Sequence, residues 1–541
     1  MTTSTKPTFN IADLYESLAD AIPDRLALVS GDRRLSYAEL DARSNRLAHA
    51  LAARGIGPGQ HVGLYLHNGN EFVEGMLAAF KLRAVPININ YRYVDDELSY
   101  LFENAHLVAV IYQREFAPRV RAVAPRTPLL QTLISVEDGS GVDPTGTLDY
   151  DALLAESKPD REGFGPRSGD DHYIIYTGGT TGMPRGVVWR HEDVFYAGLQ
   201  GGNPGGEPLQ NPEDLAKNAK QRGMAMCFLP AAPFIHGAAQ WAAFIGLFGG
   251  GKVVVSPGRS FDAPRVCQLV AQEKVNTITM VGDAMARPLV DALRAADGAH
   301  DMSSLFVIAS AGAILSDTVK DDLQALLPNV MVLNSFGATE TGHQGTAFPG
   351  MAPAGKLTFM MDDSNTVLGE DLKPLTPGSG EMGRLARTGR LPIGYYNDPE
   401  KTAATFLSIG GKRWVVPGDL ATVDADGRIT VFGRGAVCIN SGGEKIFPEE
   451  VEAALKAHPG VLDAVVVGVP DERWGQRVAA IVQPRPGNAD ITLSMIDAHC
   501  RTRIAGYKVP RLLRIVDLIV RHPSGKPDYR WAREAALEAR A

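Results

Sequence analysis

Apolar residues along this chain recur in two alternating rhythms. Short continuous runs at 26–29 (LALV), 62–66 (VGLYL) and 108–111 (VAVI) have the length and bulk of buried strands. Between them, 37–53 and 71–83 carry apolar positions at helical spacing. In the first of these, Leu40, Leu47 and Leu51 share one face, and Gly55 is placed to end the helix. The pattern resumes with strand-like runs at 224–229, 253–255, 277–280 and 305–309 and a helix over 316–326. This alternation predicts an α/β fold of stacked, mainly parallel sheets covered by helices. After Gly433 the pattern changes. Pro448 stands at the first position of a helix over 449–457, strand-like runs follow at 464–469, 478–482 and 512–520, and a further helix lies near 493–504. Two domains are predicted, 1–433 and 434–541.

Composition narrows the class. The chain has 541 residues, 45% hydrophobic and 21% charged, with 54 basic against 62 acidic side chains and a net charge of −8. These values describe a multidomain globular protein with no basic patch suited to nucleic acid. Cys227, Cys267, Cys438 and Cys500 lie far apart without CxxC spacing, so they read as buried thiols in a reducing compartment. The N-terminus has acidic residues early and no basic start before an apolar core, and the apolar stretch 237–248 is too short to cross a bilayer. The expectation is a cytoplasmic protein without a membrane span. Residues 139–146 and 201–212 read as exposed Gly- and Pro-rich loops.

The first candidate chemistry lies at 176–187, YTGGTTGMPRGV. Gly178, Gly179 and Gly182 leave backbone N–H groups unhindered, Thr177, Thr180 and Thr181 add hydroxyls, and Arg185 adds a cation. The segment is suited to phosphate oxygens and follows the apolar run 172–176, as a loop leaving a strand would. Met183 stands where a Walker A loop needs glycine, so that motif is excluded. A flexible surface turn is the bland alternative. Its company decides: NSFGATETG at 334–342, PGDL at 417–420, FGRG at 432–435, SGGEKIFPEEVE at 441–452 and PSGK at 523–526 follow in order.

Five separated motifs in this order resemble the adenylate-forming acyl-CoA synthetases, which share a fold with carrier-protein adenylation domains and firefly luciferase. The resemblance implies ATP, Mg²⁺ and coenzyme A, and a small C-terminal domain that is mobile. It makes the Gly/Thr loop the holder of the β- and γ-phosphates, Ser335, Phe336, Gly337, Ala338 and Thr339 part of the nucleotide site, and Glu340 the Mg²⁺ ligand. Gly312 and Ala313 match the segment against adenine, Asp419 the carboxylate on the ribose hydroxyls, and Arg434 a basic residue reaching the same ribose. Lys526 matches the lysine that bridges carboxylate and α-phosphate during adenylation. The small domain then rotates, and Gly442 and Gly443 line a pantetheine tunnel. The catalytic set so implied is Lys526, Glu340, Thr181 and His236, with a satisfied core histidine as the alternative at His236. Two departures stand out. Arg185 replaces the family's usual lysine, and the hinge reads Gly435-Ala436 where an aspartate, lysine or serine is common.

Longer phrases, VGDAMARPLVDAL at 281–293, INSGGEKIFPEEVEAAL at 439–455, AGYKVPR at 505–511 and PSGKPDYRWA at 523–532, resemble actinobacterial acyl-CoA synthetases that activate steroid side-chain carboxylates and other fatty acids. The implied substrate is a hydrophobic carboxylic acid, with pocket candidates His236, Gln240, Trp241, Val281, Gly282, Phe336 and Gly337. Asp283 and Arg287 are expected to pair with each other. A steroid side-chain acid is the leading substrate, with a medium- or long-chain fatty acid, a separate acyl-carrier protein as acceptor, and a non-catalytic binding protein as alternatives. A homodimer is left open.

Overall fold

The computed structural model of the chain describes residues 7–538 except 180–181, 223–224, 314, 349–356, 442–443, 472–473, 489 and 523–524; of residues 178, 179, 182, 434, 436, 440, 444 and 445 it describes the backbone alone. The helix over Tyr37–Ala52 begins as its sequence directs. Ser36 Oγ accepts the Glu39 N–H at 3.2 Å, and the Glu39 carboxylate accepts the Ser36 N–H at 2.7 Å. Leu40, Leu47 and Leu51 are fully buried on its inner face, and Gly55 takes φ +79° just beyond it.

Two α/β sheets form the core of the larger unit. One has eight strands in the order Gly342–Ala347, Met331–Ala338, Val307–Ala311, Thr277–Met280, Cys227–Pro230, Lys252–Val255, Leu26–Ser30, Arg33–Ser36. Its inner pairings are parallel and its two outermost strands run antiparallel to their neighbours. The other is wholly parallel, in the order Val85–Asn88, His61–Tyr65, Leu107–Gln113, Thr132–Val136, Leu148–Asp149. To these the structure adds a seven-stranded antiparallel sheet between Leu357 and Arg434, whose short, mixed strands carry little periodic signal.

The strand at His172–Gly179 also runs on past its apolar part. The chain returns antiparallel over Gly182–Arg190, making a hairpin where a loop is expected. A Cβ at Gly186 would lie 2.6 Å from the Tyr176 ring, so only glycine lets that ring cross the returning strand. Asn88 anchors the hairpin to the rest of the cleft. Its amide donates to the carbonyls of Tyr176 at 2.8 Å and Ile235 at 2.6 Å, and its oxygen accepts the Tyr176 N–H.

The smaller unit is built on the long hairpin Val461–Asp471 and Gly475–Pro484, with Leu512–Ile515 parallel to its second strand. Both faces are covered. Val466, Val478, Ala480 and Val482 pack with Val451, Leu455 and Ile496 of the helices Pro448–Lys456 and Leu493–Arg501, while Val465, Val467 and Ile481 pack under Ala532 and Ala536 of Tyr529–Glu538. Two buried faces explain why residues 464–467 read as a continuous apolar run. No helix among the described residues is long and apolar enough to cross a membrane.

Candidate active site

Four loops leaving the carboxyl ends of parallel strands converge on one cleft, the place where open α/β sheets present ligand groups. His236 follows Cys227–Pro230 and caps the helix Gly237–Phe248, Val281 follows Thr277–Met280, Gly312 follows Val307–Ala311, and Thr339 and Glu340 follow Met331–Ala338. The last turn is tight. A Cβ at Gly337 would lie 2.2 Å from the Gly342 carbonyl oxygen, so a glycine there is a steric requirement. The Thr339 carbonyl accepts the Trp189 indole N–H at 2.9 Å, which ties the turn to the hairpin.

Two cavities meet in the cleft. The larger, about 840 Å³, is bounded by His236 and Val281 and by one face of the helix Gly237–Phe248, where Ala238, Trp241, Ala242 and Ile245 recur at helical spacing. The smaller, about 330 Å³, is more polar and holds Asp419, Glu340, Arg185, Lys401, Asp283 and Lys456 on its walls. Thr177, Gly312, residues 335–339 and Lys526 line both. Lys526 therefore stands at the junction, brought there by the smaller unit. Gly525 beside it adopts φ +73°, and a Cβ there would come within 2.7 Å of Val281.

Asp419 and Glu340 are each 8% exposed. Glu340 is oriented by Tyr395, whose hydroxyl donates to its Oε1 at 3.0 Å. A carboxylate with one oxygen so fixed suits a hard cation. Among the described residues no group of three or more candidate ligands gathers, so phosphate and water oxygens would complete such a site. Glu449, on the first turn of Pro448–Lys456, also reaches the smaller cavity. Its carboxylate lies over Gly433, its Oε2 is shielded from water without a protein hydrogen-bond partner, and burial followed by the Glu452 charge pushes its pKa up to about 8.

Of the residues singled out in the sequence, Thr177, Arg185, Gly312, Ala313, Ser335, Phe336, Gly337, Ala338, Thr339, Glu340, Asp419 and Lys526 line the smaller cavity, and His236 the larger. Gly178, Gly179 and Gly182 stand at the end of the hairpin, and the Arg434 backbone pairs with Asp419 across adjoining strands. Thr180, Thr181, Gly442 and Gly443 lie outside the described residues. Arg185 is engaged by Asp398, Nε to Oδ2 at 3.0 Å. Gln240 does not line the larger cavity. It is buried, donating to the Phe234 carbonyl and accepting the Tyr173 hydroxyl. Gly282 likewise serves packing, its N–H donated to Ser310 Oγ at 2.9 Å. The Asp283–Arg287 pair is loose at 4.0 Å, and Asp283 reaches Lys456 instead at 3.4 Å. Asn88, Tyr395 and Lys456 carry no local signal, since each acts through a partner distant in sequence.

The profile of the AMP-binding enzyme family matches residues 15–390, and that of the AMP-binding enzyme C-terminal domain matches 450–526. The chain is 49% identical over 535 residues to a 3-oxocholest-4-en-26-oate–CoA ligase of Rhodococcus rhodochrous, covering 97% of this chain and 95% of that one. It is 49% identical over 538 residues to a medium/long-chain-fatty-acid–CoA/3-oxocholest-4-en-26-oate–CoA ligase of Mycolicibacterium smegmatis, covering 98% and 97%. Among solved structures, the anthranilate CoA ligase AuaEII in complex with anthranoyl-AMP superposes with a TM-score of 0.85 at 22% identity, covering 100% of this chain and 99% of that one.

Proposed function

This chain belongs to the AMP-binding enzyme family, and from that premise we propose that it activates a hydrophobic carboxylic acid with ATP and passes the acyl group to coenzyme A. The observation that carries the reading is the meeting at Lys526 of a larger cavity walled by the Trp241 face with a smaller one that carries Asp419, Glu340 and Arg185. The acid lies along the Trp241 face with its carboxylate toward Lys526, and the nucleotide occupies the smaller cavity. Asp419 accepts the ribose hydroxyls, as two carboxylate oxygens suit a cis-diol, while Gly312 and Ala313 leave room for a flat base. The hairpin end with Thr177 to Gly182, together with Arg185 and Thr339, holds the phosphates. Lys401 adds a cation on the wall that Arg185 shares. Glu340 would hold Mg²⁺, which when bound neutralises phosphate charge.

Lys526 supplies charge stabilisation as the carboxylate oxygen attacks the α-phosphorus and pyrophosphate leaves. The smaller unit, from residue 434 onward, then turns about Gly435-Ala436, withdrawing Lys526 and bringing Gly442 and Gly443 to the pantetheine arm. Coenzyme A attacks the adenylate carbonyl through its sulfur and AMP departs. The preferred acid is a steroid side-chain carboxylate, a reading supported by relatives named for 3-oxocholest-4-en-26-oate. Medium- and long-chain fatty acids are the second reading, supported by the name of the Mycolicibacterium smegmatis relative. Four free thiols fit a cytoplasmic setting. A homodimer is compatible with this reading and does not enter the chemistry.

Steady-state kinetics with a steroid acid bearing a C5 side chain, octanoate, palmitate and acetate, each with coenzyme A and with a carrier protein, test the reading. Buried methylenes contribute roughly 0.8 kcal/mol each, so kcat/KM for the larger acids exceeds that for acetate by at least about a hundredfold. Equal efficiency on acetate overturns the large-pocket assignment. Activity on octanoate without activity on the steroid acid selects the fatty-acid reading.

A further inference from the structure

The turn that carries Lys526 is closed by its own backbone. His522 and Gly525 close it through backbone bonds, the His522 N–H to the Lys526 carbonyl at 2.9 Å and the Gly525 N–H to the His522 carbonyl at 2.8 Å, and Arg521 bridges Pro527. Those bonds shape the turn, but they do not tie it to the sheet. Among the described residues, the Arg521 side chain supplies a link from the turn to the sheet. Arg521 Nη1 donates to the Gly525 carbonyl at 3.0 Å, while its Nε and Nη2 donate to Asp463 Oδ2 and Oδ1 at 2.8 and 2.7 Å. Asp463 sits in the strand Val461–Asp471, and its Oδ1 also accepts the Ala464 N–H at 2.8 Å. Both side chains are largely buried, 14% exposed for Arg521 and 17% for Asp463.

A guanidinium presents its donors in a rigid fork, so two donors on one carboxylate fix the plane in which the third points. That third donor meets the carbonyl immediately before Lys526. On the reading that Lys526 serves adenylation, we propose that Arg521, held by Asp463, is a positioning residue that sets how far Lys526 reaches into the junction of the two cavities. On the far side Gly525 presses against Val281, so the turn is held between the Asp463–Arg521 pair and the wall of the larger cavity. A lysine at 521 could reach one partner or the other, but not both in one plane.

The test measures the two half-reactions separately in the full-length protein: pyrophosphate release with ATP and octanoate or the steroid acid, and thioester formation from supplied acyl-adenylate and coenzyme A. Misplacing a reacting group by about 1 Å can cost a hundredfold, so Arg521→Ala should lose adenylate formation by about thirtyfold or more. Thioester formation should stay within about threefold, because Lys526 has left the site in that step. Arg521→Lys should remain impaired, Asp463→Asn should lose adenylation by a smaller factor with near-unchanged shape, and the exchange Arg521→Asp with Asp463→Arg should recover neither Gly525 contact nor rate. Equal loss in both half-reactions, in Asp463→Asn as well as Arg521→Ala, makes the pair merely structural and overturns the proposal. Full adenylation in Arg521→Ala overturns it while leaving Lys526 in place. Lys526→Ala, run alongside, separates the outcomes: if that variant still adenylates, the underlying reading fails.

Discussion

Lys456 Nζ stands 3.4 Å from Asp283 Oδ2, so a buried ion pair joins the last turn of Pro448–Lys456 to the first turn of Gly282–Ala296 across the cleft. Asp283 also accepts the Ser316 N–H at 2.8 Å, which fixes it on the larger unit. Arg287 lies just beyond at 4.0 Å, its guanidinium nitrogens without protein hydrogen-bond partners and its pKa lowered by burial. One carboxylate thus faces two cations, of which only Lys456 would depart in the proposed turn of the smaller unit. Removing its charge leaves both cations uncompensated in this arrangement. Asp283→Asn is therefore expected to slow adenylate formation about tenfold, equivalent to about 1.4 kcal/mol of lost preference for the docked state. Thioester formation from supplied adenylate is expected to change less than twofold, and an unchanged ratio of the two rates would remove the latch.

Tyr395 and Asp419 are expected to fail differently. Losing the Tyr395 hydroxyl releases Glu340 Oε1, so Tyr395→Phe should raise the Mg²⁺ concentration needed for half-maximal adenylation by about threefold to tenfold, with little change in the KM for the acid. Asp419→Ala should chiefly raise the KM for ATP. A metal titration identical to wild type in Tyr395→Phe contradicts the orienting role.

Glu449 gives the fold a pH dependence whose sign follows from its shift. The carboxyl is raised from an ordinary value of 4.5 to about 8, so between those values the folded protein holds a proton that the unfolded chain has released. Its stabilising share is complete below about 4.5 and is lost as the pH rises through about 8. Glu449→Gln, permanently neutral, should show a flatter Tm between pH 6 and 9 and melt higher than wild type above pH 8. Parallel melting curves would mean the carboxyl is ionised throughout.

Gly198 and Trp241 should set the width of the larger cavity. A Cβ at 198 would lie 3.0 Å from the Trp241 indole, tighter than packed atoms tolerate, so Gly198→Ala forces the ring toward the acid. A steroid acid should lose about tenfold or more in kcat/KM while octanoate loses less than about threefold. Equal losses on both would place the indole away from the acid.

The helix over Tyr37–Ala52 could be read from Leu40, Leu47 and Leu51 because its partners are its own neighbours along one face. That Thr339, Glu340, Asp419 and Lys526 would share one cleft could be expected because their motifs occur in a familiar order. Gln240 misled because an amide one turn beyond His236 is as well placed to brace Tyr173 as to face a ligand. The return strand Gly182–Arg190 was hidden by glycine, proline and arginine, whose strand character comes from pairing with His172–Gly179 and not from propensity. Lys456 and Asp283 are 173 residues apart, and no local pattern ties an exposed-looking lysine to an aspartate in another unit.

Because Thr177, Gly312, residues 335–339 and Lys526 face both cavities, the two cavities adjoin along a shared lining among the described residues. A single molecule carrying a long acyl chain and adenosine, joined by an unreactive acidic linker, could then occupy both at once. Tethering makes the second engagement intramolecular, with an effective concentration in the millimolar range or above. Such a molecule should bind far more tightly than its acid half or its nucleoside half alone, and its grip should depend on the length of the linker more than on either end.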